Sequence, residues 1–330
     1  MSDEPKVTKP AEIDFFTNTS LQKSIKKTKK KQIIMYIFIS VVSTTILLMV
    51  VLLGSQYILS NRIGNQDSIY FQIHGANISY ESTSYTHNLF SVIAETTYKK
   101  NLGDRSIIWN KTTEKIPVFG RKDMIDNSSG KIEINHYNEK AQRTVRYNNF
   151  NNERKIDFYY PKLTYDYLPD ELNIAVGLDK NQLIEIALSF KEPISAAELQ
   201  DRLGNENVNW LWADTTTSAQ MAKMEKENNG DSVKTKGGGG ALGFKVGQEA
   251  PYSEAYSQQF IKMLEEMSVT GHHKNTIKNA LKGIEENTQT SNGKIRFNGA
   301  VVTGTPEELK RFQDLDFIRA SVLGATIDQY

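Results

Sequence analysis

The stretch KSIKKTKKKQIIMYIFISVVSTTILLMVVLL at residues 23–53 decides how this chain is organised. Its second part, residues 33–53, holds 21 residues without a charge, and 14 of them are Leu, Ile, Val or Phe. At about 1.5 Å per residue, a helix of this length crosses a hydrocarbon core of roughly 30 Å. Lipid offers the backbone no hydrogen-bonding partners, so a spanning segment of this kind must be helical. The stretch therefore predicts one transmembrane helix at residues 32–55.

Two other interpretations of the apolar stretch are weaker. A core helix of a soluble protein would have to be apolar on every side over 21 residues. A cleavable signal peptide usually has an apolar region of about 7–15 residues followed by small residues, and the Gly-Ser-Gln-Tyr sequence at 54–57 fits that pattern poorly. The 14 large apolar residues contribute roughly −4 to −8 kcal/mol to insertion, so an uncleaved anchor is favoured.

A cluster of lysines precedes the apolar stretch and predicts its direction. The cluster consists of Lys23, Lys26, Lys27, Lys29, Lys30 and Lys31. The opposite flank has only Arg62 before Asp67. The positive-inside rule therefore places residues 1–31 in the cytoplasm and residues 56–330 outside the cell. Next to a membrane span, the expected partner of these lysines is anionic lipid and not nucleic acid. The net charge of +1 also gives no general attraction to nucleic acid.

The exterior part of the chain divides near residue 168, because Pro169 interrupts one pattern and another begins. Residues 56–168 form a predicted membrane-proximal region, and residues 169–330 form a predicted C-terminal domain. In the first region Gly75 and Asn77 indicate a turn. Strands are predicted there at 68–79, 131–137, 143–149 and 154–160. The apolar spacing at 84–100 favours a helix, and a strand is the alternative for part of that segment.

A strand, helix and strand follow one another twice in the C-terminal part. The first copy has strands at 183–190 and 208–213 around a helix at 196–203. The second has strands at 294–302 and 317–327 around a helix that begins with Thr305 as N-cap and Pro306 at its first position. We therefore expect an α+β or α/β extracytoplasmic region with two β-α-β units, which usually connect parallel strands, preceded by one transmembrane helix. Helices are predicted between the units at 256–267 and 273–286. Chance coincidence of two short patterns is the alternative to a repeat.

Residues that would carry chemistry are absent or poorly arranged. Without cysteine the chain can form no disulfide, thiolate nucleophile or cysteine-based zinc site. The glycine run at 237–240 lacks the Lys followed directly by Ser or Thr that a phosphate-binding loop needs, so it predicts a flexible loop. The five histidines form no ligand motif, although folding could assemble a metal site from them. Trp210 and Trp212 lie on one side of a strand, which is more typical of a core than of a carbohydrate platform. The sequence therefore predicts no enzyme, cofactor or metal.

Four short motifs resemble a known family. They are KKTKK at 26–30, GSQYIL at 54–59, GAVVTGTPEEL at 299–309 and IRASVLG at 318–324. In their order along the chain, they are similar to the membrane anti-sigma factors of Gram-positive bacteria that carry sigma factor regulator N-terminal and C-terminal domains. The likeness runs from about Leu21 to the C-terminus. One departure is the terminus itself, because Ile-Asp-Gln-Tyr replaces the aromatic-rich end of that family.

The resemblance implies a regulator that sequesters an extracytoplasmic-function sigma factor through its cytoplasmic segment and responds to the state of the envelope through its exterior. A helix that folds on its partner would use apolar side chains of the tail as anchors. These are Ile13, Phe15, Phe16, Leu21 and Ile25. The expected partners are the sigma factor and the lipid bilayer, with no direct nucleic acid, and a second membrane protein or a second copy of the chain stays open. The alternatives are an incidental apolar tail on an envelope structural or assembly protein and, third, an anchored cell-wall enzyme.

Overall fold

The computed structural model describes most of the chain in two compact units, Met1–Asn61 and Arg62–Tyr330. The described residues are 19–63, 70, 72–128, 134–227, 230–246, 252–269, 273–289 and 294–330. The predicted division of the exterior at residue 168 stays a prediction.

The first unit is dominated by one helix, α1, which runs from Thr19 to Arg62. It extends beyond the predicted 32–55 at both ends, because the flanking residues include good helix formers such as Lys, Gln and Leu and contain no Pro. Side chains of its apolar part are exposed, as for Phe38 at 68% and Leu47 at 64%. Helix α1 is therefore not a buried core helix, and it is long and apolar enough to cross a membrane.

The second unit begins with a four-stranded antiparallel sheet in which the strands follow their order in the chain. They are β1 (Ile78–His87), β2 (Ser91–Leu102), β3 (Arg105–Pro117) and β4 (Asp123–Asn127). The helical spacing predicted for 84–100 is wrong, and the strand that the sequence left open there is correct. The β-branched and aromatic side chains of this segment fit a pleated surface, where Tyr98 pairs with Tyr80 on one side and Asn110 on the other.

The turn predicted before the first sheet is confirmed, but the strand predicted around it is not. Gly75 and Asn77 have φ angles of 84° and 58°, in the left-handed region that suits Gly and Asn. Residues 72–73 are helical and β1 begins only at Ile78. Residues 68, 69 and 71 of the predicted strand at 68–79 lie outside the described residues.

Two small antiparallel pairs follow. Strands β5 (Ile134–Asn138) and β6 (Arg143–Tyr147) pair with His136 opposite Val145, which confirms the predicted return strand. Of the predicted strand at 131–137, residues 131–133 lie outside the described part. Strand β7 (Asp157–Tyr159) pairs with β10 (Thr235–Gly237).

The largest sheet has five strands in the order β11-β9-β12-β8-β13. They are β8 (Gln182–Ser195), β9 (Val208–Ala213), β11 (Gly243–Lys245), β12 (Arg296–Gly304) and β13 (Ile318–Asp328). All hydrogen-bonded neighbours in it are antiparallel. Val301 of β12 lies opposite Ala187 on one side and Trp210 on the other. Strands β8 and β9 therefore run in the same direction with β12 between them, and β12 and β13 run in the same direction with β8 between them, an arrangement of the split β-α-β type.

The helices of this unit connect and cover the sheet. They are α2 (Leu172–Ala175), α3 (Ala196–Leu203), α4 (Ser218–Lys226), α5 (Glu254–Val269), α6 (Lys274–Gln289) and α7 (Pro306–Leu309). Helices α5 and α6 confirm the two helices predicted at 256–267 and 273–286. The predicted start of α7 is also confirmed, with Thr305 as N-cap and Pro306 following it. Both α3 and α7 begin with a capping box, Ser195 with Glu198 and Thr305 with Glu308.

Both faces of the five-stranded sheet are buried. On one face Ile186 and Leu188 of β8 pack in a cluster with Leu199 of α3, Phe260 of α5 and Ile277 of α6. On the other face a second cluster contains Ala187, Trp210, Trp212 and Val301 together with Phe158 of β7. This explains why β8 and β12 are nearly continuous apolar runs, and it means that any polar side chain on them needs a partner within the protein.

Candidate functional site

The first turns of α1 carry two of the five predicted partner contacts. Leu21 and Ile25 are four residues apart on the helix, so their side chains point within about 40° of each other. The side chain of Ile25 is 47% exposed, so the rest of its unit does not bury it. Ile13, Phe15 and Phe16 lie outside the described residues.

The six predicted lysines lie on the same helix as this short apolar stripe. At about 100° per residue, Lys23, Lys26, Lys27, Lys30 and Lys31 centre on the side opposite Leu21 and Ile25, and Lys29 lies next to Ile25. All six side chains are exposed. The beginning of α1 therefore separates an apolar stripe from a cationic side immediately before the apolar span.

A buried ion pair joins the four-stranded sheet to the five-stranded sheet. Lys100 of β2 donates from Nζ to both carboxylate oxygens of Glu185 on β8, at 2.8 and 2.7 Å, and both side chains are almost fully buried. Asn77 Nδ2 and the Ala325 amide also donate to this carboxylate. Burial lowers the pKa of Lys100, and Glu185 acts against this shift. The Nζ atom also lies 4.0 Å from the centre of the Trp109 ring, a cation–π contact.

A second group of buried charges gathers on Glu171. Arg143 Nε donates to its Oε1 at 2.6 Å, and Arg154 Nη2 and the Leu323 amide donate to its Oε2 at 2.7 and 2.8 Å. The carboxylate of Asp157 likewise forms ion pairs with Arg143 and Arg146. These bonds tie the segment that carries β6 and β7 to the edge strand β13. The charges are paired within the protein, which is typical of a structural network and not of a site prepared for substrate.

Two cavities open beside these charges. One of about 430 Å³ lies between β1, β9, β11 and α5, and Trp210, Phe244 and Met263 contribute to its mostly apolar wall. Another of about 350 Å³ is lined by the glycine run at 237–240 together with Arg146 and Lys155. The size and lining of the first suit a small apolar or aromatic group.

The glycine run, which was predicted as a flexible loop, is packed at Gly238, while Gly239 and Gly240 are exposed. Residues 238–240 form a tight 3-10 turn directly after β10. A Cβ atom on Gly238 would lie 2.5 Å from Cγ1 of Ile156, so only glycine permits this close approach. The sequence did not predict this packing, because a run of glycines indicates conformational freedom and does not identify the neighbouring side chain that restricts it.

The histidines are partly brought together. The ring of Tyr70 stacks between His74 at 4.3 Å and His273 at 3.7 Å. Burial lowers the pKa of His74 to about 3, and the positive charges of Lys236 and His273 act in the same direction, so His74 is neutral at physiological pH. In the described part of the chain no three His, Asp or Glu side chains are grouped closely enough to hold a metal ion.

The two tryptophans of β9 are core residues, as predicted. Trp212 stacks on Phe158 at 4.9 Å and makes an edge contact with Tyr160 at the same distance. Trp210 and Trp212 are 3% and 2% exposed, which leaves no platform for a carbohydrate.

The sequence contains a partial signal for the buried charges. Glu185 is a lone carboxylate in the apolar run Leu-Ile-Glu-Ile-Ala-Leu, and a charge in such a run needs a partner. Its partner Lys100 is 85 residues away, so no local pattern could identify it.

Comparison with known families gives one match. Residues 176–325 match the family model described as sigma factor regulator C-terminal. The matched segment begins before β8 and ends within β13, so it contains four strands of the large sheet in full, β8, β9, β11 and β12, and most of β13. Comparison with curated proteins and comparison with solved structures each give no match.

Proposed function

From the sigma factor regulator C-terminal domain that residues 176–325 form, we propose that this chain is a membrane-anchored anti-sigma factor. In this proposal residues 1–31 sequester an extracytoplasmic-function sigma factor, and the exterior domain responds to the state of the envelope. The carrying observation is that the segment matching this family lies on the same chain as an apolar helix, α1, that is long enough to span a membrane. The family is regulatory and not catalytic, which is consistent with a protein that is not an enzyme.

The location of a sigma factor determines which end of the chain would bind it. Sigma factors act on RNA polymerase in the cytoplasm, so the contact must lie on the cytoplasmic side of the membrane. The lysines before the apolar span favour residues 1–31 on that side. A segment of this length is too short for a hydrophobic core of its own. Without cysteine it also cannot be stabilised by a cysteine-ligated zinc ion. Binding as a helix that folds on its partner is the remaining physical route.

The separation of side chains at the start of α1 supports this route. Leu21 and Ile25 form one apolar stripe, while five of the six lysines lie on the other side. The stripe would enter a groove of the partner, and the lysines would stay against anionic headgroups or water. Ile13, Phe15 and Phe16 would extend the contact toward the N-terminus. Each such anchor contributes roughly 1–3 kcal/mol when it is buried in a partner.

We also propose that the domain of residues 169–330 arose as two β-α-β units. The segments β8-α3-β9 and β12-α7-β13 each place a helix after the first strand, and each helix begins with a capping box. Leu199 and Leu309 follow the capping glutamates directly, and both are fully buried. Equivalent positions in the two segments therefore have equivalent roles.

The test of the proposed function is the double variant Phe15→Ala with Phe16→Ala in the full chain. We expect a loss of at least tenfold in affinity for the sigma factor, since 1.4 kcal/mol already corresponds to a factor of ten. Affinity is measured by quantitative pull-down from membranes, and transcription of the sigma factor's own targets should rise at unchanged abundance of the variant.

The matched control is the double variant Thr17→Ala with Thr19→Ala, which changes polar residues of the same tail. It should bind as the wild type does. Retention of the sigma factor by the Phe variant at wild-type affinity would refute these anchors. If the wild type retained no sigma factor, the envelope structural or assembly role would replace the regulatory one.

A further inference from the structure

Two turns lie side by side at one end of the four-stranded sheet. The amide of Val118, after β3, donates to the carbonyl of Phe90, before β2, at 2.9 Å. Three large apolar side chains of these turns face solvent: Leu89 is 55% exposed, Phe90 52% and Phe119 80%. We call these three residues the apolar tip. Isolated exposed apolar residues are common, but three of them on two hydrogen-bonded turns form a contiguous feature that needs an explanation.

Arg62 holds this end of the sheet. Its Nη1 donates to the carbonyl of Val118 at 2.9 Å, and its Nη2 donates to the carbonyl of Gly120 at 2.6 Å. Gly120 follows Phe119 directly, so the guanidinium is fixed to the backbone on both sides of this exposed ring. Arg62 is also the last residue of α1.

The length of α1 limits how far the apolar tip can be from a membrane. Arg62 comes nine residues after the end of the apolar stretch at Leu53, which is about 13 Å along the helix axis. The headgroup layer occupies about 5–8 Å of that distance on each side of the hydrocarbon core. Tilt of the helix, on average about 20°, shortens the distance further. The turn that Arg62 holds is therefore within reach of the headgroups.

The chemistry of the apolar tip suits that layer. Phe and Leu side chains bury themselves at the boundary of headgroups and acyl chains in segments that lie on a membrane, and basic side chains are attracted to anionic lipid. Arg121 and Lys122 follow directly after Gly120, and Arg121 is exposed. We propose that Leu89, Phe90 and Phe119 insert into the headgroup layer of the membrane that α1 spans, as a second attachment of the exterior unit. This inference rests on the membrane anchor and is independent of the sigma factor.

The consequence is a restricted position for the exterior unit. With α1 alone, the unit is attached at one point and can turn about it. With the apolar tip also inserted, two points on the surface fix its orientation, so a change in lipid packing or surface charge alters how firmly the unit is held.

The experiment uses the absence of cysteine from the chain. The full-length variant Phe119→Cys carries a single thiol for an environment-sensitive fluorophore and is reconstituted into vesicles of phosphatidylglycerol and phosphatidylethanolamine. The matched control is Asp104→Cys in the turn between β2 and β3, at the other end of the same strands and about 35 Å away. Both positions are exposed, so neither substitution disturbs the core.

We expect a blue-shifted emission at position 119 and loss of its fluorescence when the acyl chains are brominated, with neither effect at position 104. Replacing Arg121 by Gln should reduce the quenching at 119 in anionic vesicles. Equal, water-like emission at both positions would overturn the proposal. So would a blue shift at 119 that brominated lipid does not quench, because a protein surface then covers the fluorophore. If excess unlabelled chain abolishes that shift, the covering surface is a second copy.

Discussion

At the scale of single residues, Glu185 and Lys100 join the two large sheets of the second unit, Arg62–Tyr330. Each is nearly fully buried, and each would be an uncompensated charge without the other. Asn77 and Ala325 supply further donors to the carboxylate, so the pair is part of a satisfied network. The network joins β2 to β8, which belong to the two regions into which the sequence predicts the exterior to divide.

We predict that Glu185→Gln lowers the free energy of unfolding by about 3 kcal/mol, because it leaves the Lys100 ammonium buried without its counter-charge. The double variant Lys100→Met with Glu185→Gln should lose less than the sum of the two single losses, since no uncompensated charge remains. Denaturant unfolding of the full chain, followed through its buried tryptophans, measures these differences. Additive losses would mean that the two side chains do not interact energetically.

At the scale of elements, β12 is the central strand of the large sheet. It pairs with β8 and β9, and its side chains contribute to the clusters on both faces. Its sequence, RFNGAVVTG at Arg296–Gly304, has no polar alternation because neither face meets water. The buried middle of a strand in this position tolerates no charge without a partner.

We predict that Val301→Asp unfolds the second unit. Val301 is fully buried between Ala187 and Trp210, and a buried carboxylate without a partner costs several kcal/mol, comparable with the whole stability of an ordinary domain. Thr86→Asp on the exposed strand β1 is the matched control and should melt as the wild type does. Thermal unfolding and limited proteolysis of the full chain distinguish the two variants. A normal melting curve for Val301→Asp would contradict the placement of β12.

At the scale of the whole molecule, the chain consists of a first unit, Met1–Asn61, which contains most of α1, and a second unit, Arg62–Tyr330. The segment that matches the sigma factor regulator C-terminal model, residues 176–325, lies in the second unit, and the proposed partner contact lies in the first. A signal that begins outside would have to pass along α1, the one element that is continuous from Thr19 to Arg62. The direction in which α1 crosses the membrane is therefore essential to the proposed function.

We predict that a reporter active only outside the cell is active when fused after Tyr330 and inactive when fused before Met1. Replacing the six lysines at 23, 26, 27, 29, 30 and 31 by Gln should weaken this preference, because the asymmetry of Lys and Arg determines orientation. The matched control replaces six lysines of the exterior far from α1 and should leave the orientation unchanged. The reverse reporter pattern would place the N-terminus outside and exclude a cytoplasmic contact through residues 1–31.

The sequence by itself determined the elements that depend on local chemistry. The apolar run of α1, the capped starts of α3 and α7, the apolar strands β8 and β12, and the amphipathic helices α5 and α6 all follow from residues within a few positions of one another. The family likeness was also visible at this level, because the motif at 299–309 contains the end of β12 and the capping box of α7.

Only the tertiary structure decided what depends on distant residues. It interleaved the two strand–helix–strand segments, so that β12 separates β8 from β9, and it turned residues 84–100 into strand through pairing on both sides. It gave Glu185 a partner 85 residues away, packed Gly238 against Ile156, and placed Arg62 on the turn at Phe119. The physical reason is the same in each case: these contacts are chosen by burial and charge compensation across the folded chain, and a local pattern contains no information about which distant segment provides them.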